Sequence, residues 1–132
     1  MPYDLMLLAD PGPARESVLL TLQNAPDIHP DPELDNRFWI RLPEGEAQVN
    51  IGTKDPVESI HLELELGNLP LMDRIAHRAL ELGRVLEMRL EDVQWGHEVD
   101  ESNLPQAETF WKELANRKPP ETPTPKRPWW RF

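Results

Sequence analysis

The stretch Ser59-Ile60-His61-Leu62-Glu63-Leu64-Glu65-Leu66 decides the fold, because every second residue is aliphatic and the residues between are polar. Successive side chains of a strand point to opposite faces, so a period of two marks one buried face and one wet face. Such a strand belongs to an antiparallel sheet that is covered on one side only. The flanking segments must supply both the cover and the neighbouring strands.

Upstream, Phe38, Ile40 and Leu42 alternate with Trp39 and Arg41, and Ala47, Val49 and Ile51 alternate with Gln48 and Asn50. Pro43-Glu44-Gly45-Glu46 lies between the two runs, which makes them an antiparallel hairpin. Residues 27–36 hold two prolines and four acidic residues and read as an exposed loop. Before it, Val18, Leu19 and Leu22 repeat at helical spacing between Pro13 and Asn24. Residues 3–8 form a short apolar run, a buried strand stopped by Ala9-Asp10-Pro11-Gly12-Pro13.

Downstream, Asn68 is placed to cap a helix whose stripe is Met72, Ile75, Ala76, Ala79 and Leu80, with Gly83 as the expected C-cap. Leu86, Met88 and Leu90 then alternate with Glu87, Arg89 and Glu91 as a fifth strand, although Leu82, Leu86 and Met88 also allow the helix to run on to Arg89. A last helix is expected from Asn103, with Gln106 in capping-box position, burying Phe110, Trp111 and Leu114 over Trp95. The order β-α-β-β-β-α-β-α gives an α+β single domain: a largely antiparallel five-stranded sheet with helices on one face. It is close to a ferredoxin-like arrangement with an extra strand.

The charge divides the chain of 132 residues in two. Residues 1–117 carry 10 Lys/Arg against 23 Asp/Glu, whereas residues 118–132 carry 4 against 1, within a total of −10. An acidic α+β domain over 1–117 thus precedes a proline-rich, basic tail over 118–132. Five prolines in this tail favour polyproline II, which would span about 45 Å at about 3.1 Å per residue. Its end, Trp129-Trp130-Arg131-Phe132, is expected to dock on the body, on a second copy as a homodimer, or on a partner. So acidic a body repels nucleic acid and anionic membrane and attracts basic proteins. No basic segment precedes the apolar run Leu5 to Ala9, which is too short for a signal or a membrane span, and cysteine is absent; the expected location is the cytoplasm.

Without cysteine there is no thiolate nucleophile, disulfide or Cys-ligated metal. His29, His61, His77 and His97 fall in no HExxH spacing, and His29, Asp31, Glu33 and Asp35 lack the glycine of a calcium loop. The six glycines stand alone, so no phosphate-cradling loop is present. No catalytic residue, cofactor or metal site is expected. The candidates are surface residues for a protein partner: Trp39, Arg41, His61, Glu63, Glu65, Glu87 and Glu91. Rows of carboxylates on a sheet can meet Arg or Lys of a basic partner, and these acids cluster if the strand of Leu64 neighbours that of Met88. His61 and Glu63 share a face, and Trp39 is either an interface anchor or packed under a loop.

The opening Met1-Pro2-Tyr3-Asp4-Leu5-Met6-Leu7 resembles the M-x-Y-D-L start of small uncharacterised bacterial proteins of immunity-protein type. That resemblance implies tight binding to a cognate toxin and no catalysis, and it supplies no partner residues. The expected function is therefore a small acidic protein-binding module that neutralises a basic partner. Two alternatives are a structural protein that self-associates through its tail and an enzyme with a site near His61.

Overall fold

A computed structural model describes residues 2–116 of the chain. The elements follow as β1 (Pro2–Leu8), α1 (Arg15–Gln23), β2 (Ile28–Pro30), β3 (Arg37–Leu42), β4 (Gly45–Asn50), β5 (Ser59–Glu65), α2 (Leu69–Leu86), β6 (Arg89–Asp92), β7 (His97–Val99) and α3 (Leu104–Asn116). All the strands join one antiparallel sheet in the order β2-β3-β4-β5-β1-β6-β7. Over the described residues the fold is α+β with three helices and a seven-stranded antiparallel sheet.

The alternation in the sequence sorts the sheet into its two faces. Tyr3, Leu5 and Leu7 of β1 and Ile60, Leu62 and Leu64 of β5 are buried, as are Phe38, Ile40, Ala47, Val49 and Leu90 on the flanking strands. They pack against Val18 and Leu22 of α1, against Leu71, Met72, Ile75, Ala76, Ala79 and Leu82 of α2, and against Ala107 and Trp111 of α3. Burying one such aliphatic side chain contributes about 1.5–3 kcal/mol, so this face dominates the stability. The helices stand on that side, and among the described residues no element covers the other side of the sheet.

Two of the seven strands were not expected. β2 lies within residues 27–36, where prolines and acids suggested a loop; it is an edge strand, so Pro30 costs the sheet no inner hydrogen bond, and Ile28 is buried. β7 completes the other edge, pairing Leu90 with Val99 after a tight turn at Gly96. Both are three residues long, too short for an alternation to show in the sequence.

Gly83 is not the end of α2. The helix continues to Leu86 and is capped by Glu87 in the left-handed conformation (φ 58°). Gly83 serves instead as a close-packing point: a Cβ there would lie 2.6 Å from the carbonyl oxygen of Met88, whose N–H donates to the Gly83 carbonyl at 2.8 Å. The chain needs that bare backbone to fold back from α2 into β6. At the start of α3 the Asn103 side chain accepts from the N–H of Asp100 and donates to the carbonyl of Glu98, so no capping box with Gln106 forms. Trp95 does sit against α3, with its ring centroid 6.3 Å from that of Phe110.

Candidate functional site on the open face of the sheet

On the open face, register decides which polar residues meet. Asp4 lies directly across from Glu63, and Glu63 in turn lies across from Gln48 of β4. His61, two residues before Glu63 on the same face, opposes Met6 and Asn50. The His61 ring N–H at Nε2 donates to Asp4 Oδ1 at 2.6 Å, and both side chains are about a third exposed (34% and 35%). The other oxygen of Asp4 accepts from Gln94 Nε2 at 3.2 Å, while the Asp4 N–H donates to Gln94 Oε1 at 3.3 Å. One donor atom each from Asp4, His61 and Glu63 lies within 4.8 Å of the others.

Trp39, Glu46, Gln48, Glu63, Glu65 and Pro2 line an open depression of about 260 Å³ beside this cluster. Trp39 is fixed there, because its indole N–H donates to Asp31 Oδ2 at 2.9 Å. The other Asp31 oxygen accepts from the backbone N–H groups of Glu33 and Leu34. The Trp39 hydrogen bond, followed by these backbone ones, holds the Asp31 carboxyl below the usual carboxylate range. The acidic loop thus uses its central carboxylate to position Trp39: the loop packs at the polar end of the indole while the ring lines the depression.

The remaining candidates divide. Arg41 pairs with Glu46 at 3.4 Å and Arg89 with Glu91 at 2.9 Å, and Arg37 lies 3.9 Å from Asp31. Glu91 does not join Glu63, because β1 is inserted between β5 and β6; the strand of Leu64 and the segment of Met88 are not neighbours. Glu87 leaves the set altogether, since it caps α2 and is not part of a strand. Trp129, Trp130, Arg131 and Phe132, with the whole tail and its boundary after residue 117, lie outside the described residues.

Asp4, Gln48 and Gln94 were not anticipated. Asp4 is 57 residues from His61 in the chain, so only the pairing of β1 with β5 brings them together. Asp4, the one charged residue in an otherwise largely apolar strand, was the only available signal.

A second carboxylate cluster lies on the covered face and is structural. Asp92 is 1% exposed, with the Tyr3 hydroxyl 2.7 Å from both of its oxygens, the Trp111 indole N–H donating at 2.6 Å and the Trp95 backbone N–H at 2.9 Å. Burial, then the hydrogen bond to Asp92 and its charge, push the Tyr3 phenol far above its ordinary value, so it remains a donor.

Comparison of the chain with family models, with curated proteins and with solved structures finds no match. No helix among the described residues is long and apolar enough to cross a membrane. Chemically, the face offers carboxylates for cationic groups, the imidazoles of His61 and of His29 across from Trp39, and one aromatic ring held in place.

Proposed function

We propose that the protein is a small acidic binding module whose open sheet face takes a basic side chain from a protein partner. The observation that carries this reading is the depression in which Trp39 stands beside Glu46, Glu63 and Glu65. An arginine or lysine entering it would meet an aromatic ring and carboxylates together, a pairing of cation–π and charge-assisted contacts. An indole already fixed by Asp31 loses little freedom when a partner docks, which favours an anchor role. The net negative charge of the body would speed the encounter. A cytoplasmic location and an immunity-type role, neutralising a basic toxin, agree with this chemistry and are part of the proposal. We also read the central strands β4-β5-β1-β6, with α1 and α2 in the crossovers, as a ferredoxin-like variant extended at both edges.

The test is a capture experiment from the source cell's lysate with the full chain, its Glu63→Lys/Glu65→Lys form and its Trp39→Ala form. The expected result is one basic protein held by the unaltered chain and lost from both variants, with an association rate that falls as salt rises. Equal recovery by all three forms would overturn the reading.

A further inference from the structure

We propose that Asp4, His61 and Glu63 form a binding site for a divalent transition-metal ion of the zinc class. This inference does not depend on the protein partner. It rests on three donor atoms from two adjacent central strands that converge within 4.8 Å on one face of the sheet.

The donor set suits such an ion. One imidazole nitrogen and two carboxylate oxygens are ligands for borderline divalent metals, whereas Mg²⁺ and Ca²⁺ favour all-oxygen surroundings. Ligands about 2.0–2.2 Å from a tetrahedral metal stand roughly 3.3 Å apart. His61 and Asp4 stand 2.6 Å apart and all three atoms lie within 4.8 Å of one another, so that spacing is within reach of side-chain rotations. On binding, the metal takes the place of the proton that His61 Nε2 now shares with Asp4.

The surroundings support the site in two ways. Gln94 holds the second oxygen of Asp4 and its backbone N–H, which aims the first oxygen at His61 as outer hydrogen bonds aim metal ligands. The arginines of this face are engaged elsewhere: Arg37 with Asp31, Arg41 with Glu46 and Arg89 with Glu91. Among the described residues no cationic side chain pairs with Glu63. Among the described residues the centre of the sheet therefore keeps an excess of negative charge on this face.

Titration calorimetry of the full chain with ZnCl₂ and with MgCl₂ tests the assignment, together with visible absorption of a Co²⁺ titration. One equivalent of Zn²⁺ should bind, Mg²⁺ should not displace it, and Co²⁺ should develop a low-coordinate spectrum. His61→Ala and Glu63→Gln should each weaken Zn²⁺ binding about tenfold or more, while His97→Ala should not. Absence of saturable Zn²⁺ binding, or equal affinity in the His61 and Glu63 variants and the parent, overturns the proposal. Should a variant lose its fold by circular dichroism, the ring nitrogens of His61 in the unaltered protein decide by NMR. A Zn²⁺-dependent shift of Nε2 supports the site, and an unchanged resonance overturns it.

Discussion

Two aspartates on adjacent strands, Asp4 of β1 and Asp92 of β6, face opposite sides of the same sheet and have opposite fates. Asp92, paired with Leu5 in the register, is sealed beneath α3 and meets donors from Tyr3, Trp95 and Trp111. Asp4, one residue earlier in β1, stays a third exposed with His61 and Gln94. A buried carboxylate with every oxygen satisfied fixes the packing of the elements around it, and it is not free to meet anything else. An outward carboxylate with a polar neighbour contributes little to folding and remains open to a ligand. The covered face should therefore control stability, and the open face should control binding.

The largest expected effect separates the two directly. Asp92→Ala strands the Tyr3 hydroxyl and the Trp111 indole N–H in the core and should cost about 3–5 kcal/mol in urea unfolding. Asp4→Ala should cost less than about 1 kcal/mol. Similar losses for the two variants would break the contrast. Next in size is Gly83→Ala, whose new methyl group would press on the Met88 carbonyl at the fold-back from α2 to β6. It should cost about 1–3 kcal/mol by the same measurement. A neutral result would mean that β6 can shift away from α2 at no expense.

The sequence pattern reveals one face of each strand and nothing of which strand lies beside it. Alternation in residues 59–65 and in the hairpin was strong enough to place β3, β4 and β5, and the stripe from Met72 to Leu80 placed α2. It does not show that β1 enters between β5 and β6, which separates Glu91 from Glu63 and sets Asp4 beside Glu63 instead. Leu86-Glu87-Met88 satisfies a strand pattern locally, yet Glu87 caps α2. The end of α2 is set instead by room over Gly83, a tertiary fact. The alternation places Trp39 on the outward side, but the composition of residues 27–36 carries no sign that Asp31 anchors its indole.

The salt bridge of Asp27 with Arg78 is a third, smaller test of the covered side. Arg78 Nε donates to Asp27 Oδ2 at 2.7 Å and its terminal nitrogen to Oδ1 at 3.1 Å, tying α2 to the residue before β2. Burial alone would raise the Asp27 carboxyl, but the hydrogen bonds and charge of Arg78 outweigh it and hold the group below its ordinary value. A carboxyl lowered by folding adds stability that is fully present above its unfolded pKa and is lost as pH falls through the folded one. Arg78→Ala should therefore cost about 1–2 kcal/mol near neutrality, with the difference from the parent shrinking below the ordinary carboxylate range. A difference that stays constant into acid would detach the stabilisation from this pair.

The smallest effect has the reverse sign and lies between two helices. Glu108 of α3 is raised above its ordinary value, first by a hydrogen bond with Asp73 of α2, then by burial and by the negative charge of Asp73. His77 and Lys112 offset this only in part. A carboxyl raised by folding contributes stability fully present below its unfolded pKa and lost as pH rises through the folded one. At neutral pH the two carboxylates thus oppose the contact of α2 with α3. Glu108→Gln keeps the shape and a hydrogen-bond donor while removing one charge, so it should stabilise by a few tenths of a kcal/mol at neutral pH. In acid, where Glu108 is itself protonated, the gain should vanish. Thermal melts of the two proteins at both pH values read the difference, and a Gln variant less stable than the parent at neutral pH would show that Glu108 is held by a cation after all. The helices above the sheet would then be tuned as finely as the core beneath them.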